Sequence, residues 1–285
     1  MLSANNPYGN VVLITGASSG IGRSTAIMLA KNGFRVYGAS RRGGENEDYQ
    51  NGFIHMIKMD VCSDASVAEA VSSVISIEGS IDILINAAGI GVSGAVEECS
   101  AADAFTQFNT NYFGIIRTIG AVLPHMRKQG KGLIINIGSV GGIFTIPFQT
   151  LYSSSKFALE ALTEGLRIEL APFNVKATLI EPGDIKTGFT KARMFGYKTE
   201  NSAYGDKFHA AIAQMEYDEQ NGKPPETIAK AILKVINKKN PPVRTVVGGM
   251  YKAFVFLKRI MPDRFVEFVL TQMYPNSKKK RVRDA

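Results

Sequence analysis

Short apolar, β-branched runs alternate with longer stretches in which apolar positions recur every three or four residues, and this rhythm holds along most of the chain. Val11–Thr15 reads as a buried strand, followed by a glycine-rich turn and a helix ending near Asn32. Residues 34–39, 53–58, 81–85, 133–137, 175–181 and Arg244–Val247 read as six further strands, with helices between them over 64–77, 101–128, 151–171 and 225–238. Continuous apolar runs of strand length suit strands covered on both faces. The alternation predicts one α/β domain over residues 1–285, with a seven-stranded parallel sheet, helices on both faces and right-handed crossovers.

Three stretches depart from the rhythm. Residues 43–52 form a polar, acidic segment that reads as a loop. Residues 186–222 carry Phe189, Met194, Phe195, Tyr197, Tyr204, Phe208, Met215 and Tyr217; a connection this long and aromatic reads as a substrate lid. Beyond the last strand, Met250, Phe254, Leu257, Met261, Phe265, Phe268 and Val269 recur at helical spacing, and Pro262 is expected to split this extension (249–275) into two helices.

Composition narrows the class. Hydrophobic residues make up 45% and charged residues 20% of the 285, as in a soluble globular protein. The net charge of +8 is uneven: residues 278–285 hold five Lys/Arg against one Asp. This basic tail, 276–285, reads as a solvated terminus; no nucleic acid is expected, and peripheral contact with an acidic membrane surface is the less favoured alternative. Cys62 and Cys99 form no C-x-x-C, and His55, His125 and His209 lack metal spacing, so neither a disulfide framework nor a metal is expected. No apolar leader and no run of 18 apolar residues is visible; Val246 to Met261 is broken by Lys252, Lys258 and Arg259. A cytoplasmic protein is the expectation.

The candidate chemistry lies at strand ends. Gly16-Ala-Ser18-Ser19-Gly20-Ile21-Gly22 follows the first strand and opens a helix. Glycines there permit a sharp turn and close approach to a diphosphate, and the helix N-terminus offers N–H groups and a positive dipole. The same residues spell G-x-S-x-G, so a serine hydrolase using Ser18 is a competing reading. Tyr152 and Lys156 lie one turn apart on one helix face. An ammonium near a phenol, whose ordinary pKa is about 10, favours the phenolate and brings it toward the working range. Ser139 ends the fifth strand; Asn86-Ala87-Ala88-Gly89 follows the fourth; Asn111 lies mid-helix; Pro182-Gly183-Asp184-Ile185-Lys186-Thr187 follows the sixth. Loops at the carboxyl ends of parallel strands share one crevice, so these segments are expected to converge.

In these motifs, with Asp60, the chain resembles the short-chain dehydrogenase/reductase family in its shorter branch, over about residues 10–190. The resemblance implies a Rossmann-type doubly wound sheet of order 3-2-1-4-5-6-7. It also implies a catalytic tetrad of Asn111, Ser139, Tyr152 and Lys156. Tyr152 would be the acid/base, Ser139 would orient the substrate oxygen, Lys156 would lower the Tyr152 pKa and bind ribose, and Asn111 would hold a water. Cofactor contacts would fall on Gly16, Ser18, Ser19, Gly20, Ile21, Gly22, Asp60, Val61, Asn86, Ala87, Gly89, Tyr152, Lys156, Pro182, Gly183, Ile185 and Thr187.

The second strand ends at Ser40-Arg41-Arg42 rather than on a carboxylate. A guanidinium fork suits a 2′-phosphate, which points to NADP(H) over NAD(H). The competing reading is a solvated basic turn neutralised by Glu45, Glu47 and Asp48. The run from Gly138 to Lys156 resembles the 17β-hydroxysteroid and retinol dehydrogenase branch. With the apolar segment after Ser139, it leads us to expect a bulky hydrophobic alcohol or carbonyl compound. A non-catalytic NADP(H) sensor on the same fold is the alternative. Phe157, Ala158, Leu162, Leu166 and Leu170 give helix 151–171 apolar surface to spare, so a homodimer or homotetramer is expected. The extension after residue 249 is expected to pack over the cleft rather than lie on a membrane.

Overall fold

In β1 (Val11–Thr15), Val12 and Ile14 point to one face of the central sheet and Leu13 to the other, and all are fully buried. The computed structural model describes residues 6–273; the basic tail lies outside the described residues. Against the Val12–Ile14 face pack α1 (Gly20–Lys31) and α7 (Glu226–Ile236), through Ala26, Leu29, Ile228 and Ile232. Against the Leu13 face pack α2 (Asp64–Glu78), α4 (Gly114–Gln129) and α5 (Thr150–Glu169), through Val67, Val122, Leu159 and Leu166. Two buried layers sandwich the sheet, which is why its strands read as unbroken apolar runs.

The remaining strands are β2 (Arg35–Ser40), β3 (Glu47–Tyr49), β4 (Gly52–Lys58), β5 (Ile83–Asn86), β6 (Val92–Ser93), β7 (Gly132–Ile137), β8 (Val175–Pro182), β9 (Met194–Phe195) and β10 (Arg244–Val247). The sheet runs β10-β8-β7-β5-β1-β2-β4-β3. Its seven parallel strands follow the expected order. The eighth corrects the sequence reading: the acidic segment 43–52 is no plain loop but supplies β3, antiparallel to β4. Charged Glu47 and Asp48 suit an exposed edge strand, where they discourage further pairing.

Two other expectations change. Helix 101–128 is interrupted: α3 (Ala101–Phe108) passes through a widened π-type turn at Asn109–Phe113 before α4 begins. The 186–222 stretch has structure of its own, with β9 pairing β6 and α6 (Gly205–Gln220) packing Phe208 and Ile212 against Phe148 and Ala95. The extension forms α8 (Gly249–Lys258) and α9 (Asp263–Met273) on either side of Pro262, as expected, but α9 buries no residue. No described helix is long and apolar enough to cross a membrane.

Arg244 on β10 ties the sheet edge to α5. It reaches Glu160 at 3.0 Å and also Glu164, and stands 3.9 Å from Glu181 on β8. Glu181 is fully buried. Burial, and then the neighbouring Glu160, hold its carboxyl well above the usual range, with Arg244 opposing. A carboxyl with a raised folded-state pKa supports the fold fully below the unfolded pKa and loses that support as pH rises through the folded value. Glu181→Gln, which imitates the protonated form, is expected to raise Tm at about pH 8.5 and leave it nearly unchanged at about pH 5. Equal calorimetric shifts at both pH values would contradict a protonated Glu181.

Candidate active site

Thr15 ends β1 and sets the first part of the site. Its hydroxyl accepts hydrogen bonds from the Ala87 and Ala88 backbone N–H groups, both at 3.0 Å, and so fixes the 86–89 loop against the glycine turn. Gly16 and Gly20 adopt positive φ, 69° and 55°, which glycine takes without strain. A Cβ on Gly22 would stand 2.4 Å from the Gly16 carbonyl oxygen, so the turn closes only over bare backbone. Ser19 gives α1 no side-chain cap. The helix therefore presents uncapped first-turn N–H groups and its positive dipole end where Ser19 to Gly22 line a cleft of about 890 Å³. This cradle fits a dinucleotide diphosphate.

The same cleft gathers most of the remaining expected residues. Ser18, Ser40, Arg41, Asp60, Val61, Ala87 and Gly89 line it on one side, with Ser139, Tyr152, Lys156, Pro182, Gly183, Ile185 and Thr187 on the other. Ser40 donates to the Gly43 carbonyl at 2.8 Å, and Asp60 accepts from the Cys62 N–H at 2.9 Å, so each shapes its own turn. Glu47 pairs with Arg23 rather than with the basic turn. Among the described residues, no carboxylate lies within ion-pair distance of Arg41 or Arg42.

Two expected residues lie behind the cleft wall instead. Asn86 is buried; its amide donates to Asn136 Oδ1 at 2.9 Å and its oxygen accepts from the Thr118 hydroxyl at 2.7 Å. Asn111 sits in the widened turn with no exposed surface. Its oxygen accepts from the Ile90 N–H at 2.9 Å, and its amide donates to the Ile90 carbonyl at 3.0 Å and toward Ser155 at 3.3 Å. Asn111 therefore clasps the 89–90 loop like a strand neighbour.

Ser139 Oγ accepts from the Gly141 N–H at 3.0 Å. The Tyr152 phenol shares the cleft with it, its ring 5.7 Å from that of Phe189. Lys156 is buried and donates from Nζ to the Ile137 carbonyl at 2.7 Å, with Nζ 5.7 Å from the centre of the Tyr152 ring. Burial dominates both groups. It pushes the Tyr152 phenol up to about 12, against a lowering by Ser139, and brings Lys156 down to about 8. Burial is the largest influence on the phenol, and Lys156 Nζ gives one of its three N–H groups to Ile137. At neutral pH the site thus holds a protonated phenol beside a serine hydroxyl, a pair suited to binding and protonating one oxygen atom.

The far end of the cleft depends on a pair with no sequence spacing to betray it. Arg193 is buried, donates twice from Nη2 to Glu219 at 2.8 and 2.7 Å, and donates from Nη1 to Ser93 at 3.1 Å. It ties α6 and the 186–222 stretch to β6, while Ala192, Met194 and Phe189 give that end apolar walls. No histidine lines the cleft, so Ser18 lacks the base that a hydrolase reading requires.

The family model described as short chain dehydrogenase matches residues 10–196. The chain belongs to this family. It is 43% identical to a 3-ketodihydrosphingosine reductase of Bacteroides thetaiotaomicron, over 93% of this chain and 97% of that one. It is 34% identical to human retinol dehydrogenase 8, over 87% and 85% respectively. A short-chain dehydrogenase from Streptomyces avermitilis superposes with a TM-score of 0.77 at 30% identity, over 93% of this chain and 96% of that one. Members of the same fold have been solved with NAD and with NADP. The chain is therefore an oxidoreductase of a nicotinamide-using family, with a small-molecule substrate.

The glycine turn gives the site its sharpest structural test. Gly22→Ala forces a methyl group into the Gly16 carbonyl, despite alanine's better helix propensity. Fluorescence titration with NADPH should show affinity falling by about tenfold or more, with a lowered Tm. Unchanged affinity and Tm would mean that the turn relaxes freely.

Proposed function

We propose that this protein is an NADP(H)-dependent carbonyl reductase, protonating the oxygen of a ketone carried on a bulky apolar substrate. The observation that carries the reading is the protonated Tyr152 phenol beside Ser139 in a cleft whose opposite end carries Arg41 and Arg42. The bound nicotinamide supplies the hydride. Tyr152 delivers the proton, Ser139 orients the carbonyl oxygen, Lys156 holds the cofactor ribose, and Asn111 steadies the 89–90 loop at the reacting centre. The Tyr152 phenol is protonated near neutral pH, the state that can donate to a carbonyl oxygen, and the same group takes the proton back when the reaction runs as alcohol oxidation. The names of two relatives, a 3-ketodihydrosphingosine reductase and a retinol dehydrogenase, agree with an apolar substrate. We place that substrate against Ile146, Phe189, Ala192 and Met194, under the 186–222 segment as lid.

For the cofactor, Ser40-Arg41-Arg42 supports NADP(H): both arginines are exposed at the cleft and have no carboxylate partner among the described residues. Phe113, Ile116 and Ile168 expose apolar surface on and beside α4 and α5, which supports a homodimer through these helices.

Tyr152→Phe is expected to lower turnover of an apolar ketone by about 10²–10⁴-fold while NADPH still binds. Retention of more than about a tenth of the rate would remove Tyr152 from the mechanism. Arg41→Ala should weaken NADPH by about tenfold or more and leave NADH nearly unaffected, since one charge-assisted hydrogen bond is worth about 1.5–3 kcal/mol. Equal weakening of both cofactors, or an NADH preference in the parent protein, would overturn the NADP(H) reading.

A further inference from the structure

The C-terminal helices have one anchored side and one bare side. α8 is anchored by Val255, which is buried, by Tyr251, whose hydroxyl donates to Asp184, and by Lys258, which donates to the Ile143 carbonyl and covers the Phe144 and Phe157 rings at 5.4 and 5.2 Å. The other side carries Phe256, Leu257 and Ile260, continued on α9 by Phe265, Phe268 and Met273. Phe256 is 63%, Ile260 62% and Phe268 59% exposed. Of the stripe expected to pack over the enzyme body, Phe254, Met261 and Val269 are half-buried, whereas Met250, Leu257, Phe265 and Phe268 are exposed; the buried residue is Val255, outside that stripe.

Charge says what such a face suits. From Gly249 to Met273 there are four Lys/Arg, namely Lys252, Lys258, Arg259 and Arg264, against Asp263 and Glu267. Residues 274–285 add five against one. Six of the chain's eight net positive charges therefore lie in this C-terminal stretch. Exposed aromatic and aliphatic side chains interspersed with lysine and arginine, next to a polybasic segment, combine the two terms that hold a protein on an anionic bilayer.

We propose that the bare side of α8 and α9, with the basic segment that follows, docks this protein peripherally on an anionic lipid surface. Through Tyr251 on its anchored side, α8 touches Gly183 and Asp184, both of which line the cleft, so the docked face lies on the outer side of a helix that borders the cleft. The proposal does not depend on the reductase reading.

The chain contains no tryptophan, so Phe268→Trp in the full-length protein places a sole indole on this face. Phosphatidylcholine vesicles with about 30 mol % phosphatidylglycerol are expected to shift its emission to the blue and to co-sediment the protein, while pure phosphatidylcholine does neither. Raising salt from about 0.1 M to about 0.5 M should lower the bound fraction. The exposed triple variant Ile260→Gln/Phe265→Gln/Phe268→Gln, and separately a variant with Lys278, Lys279 and Lys280 changed to Gln, should each bind about tenfold less or weaker still. An unshifted indole on anionic vesicles, or triple-variant binding equal to the parent's, overturns the proposal. So does a triple variant whose mass falls in light scattering without lipid, because the face then belongs to a second copy of the chain. None of these readouts uses turnover, so failure of the reductase reading leaves them intact.

Discussion

A line of buried hydrogen bonds holds the floor of the cleft in register. Thr118 on α4 donates to Asn86 on β5, Asn86 to Asn136 on β7, and Asn136 to Thr163 on α5, which closes on the Leu159 carbonyl. All four side chains are buried in an otherwise apolar layer. Each partner left alone there would cost about 1–3 kcal/mol, so the line is stable only when complete. Its completion sets the heights of α4 and α5 relative to the strand ends. From those heights follow the place of the widened turn, the approach of Tyr152 to Ser139, and the reach of Lys156 to Ile137.

Features written in local spacing were legible in the sequence. The glycine turn needs its residues within one turn of chain, and Tyr152 and Lys156 need only a helix to share a face. The strand order followed from the alternation of elements together with the family resemblance. What escaped reading depends on partners far apart in the chain. The family resemblance implies a cofactor contact at Asn86, but nothing local shows that its side chain turns down to Asn136 and Thr118. The Arg193–Glu219–Ser93 tie joins three segments with no common spacing. The short antiparallel β3 was hidden because an edge strand facing water has no apolar stripe to show.

The tyrosine–lysine pair shows what spacing alone leaves out. Proximity on one helix face is a matter of sequence, whereas desolvation is a matter of how completely the fold surrounds the pair. Here the surroundings are complete enough that burial moves both groups, the phenol up and the amine down, while Lys156 Nζ donates to the Ile137 carbonyl.

The contact between Gly183 and Tyr251 links two positions that no motif connects. A Cβ at 183 would fall 2.0 Å from the Tyr251 ring, and the Tyr251 hydroxyl is in turn held by Asp184 next door. A side chain at 183 is therefore incompatible with the Tyr251 ring where it now stands. In evolutionary terms the two sites are coupled: a side chain at 183 is accommodated only by moving the ring at 251, and with it the hydrogen bond to Asp184.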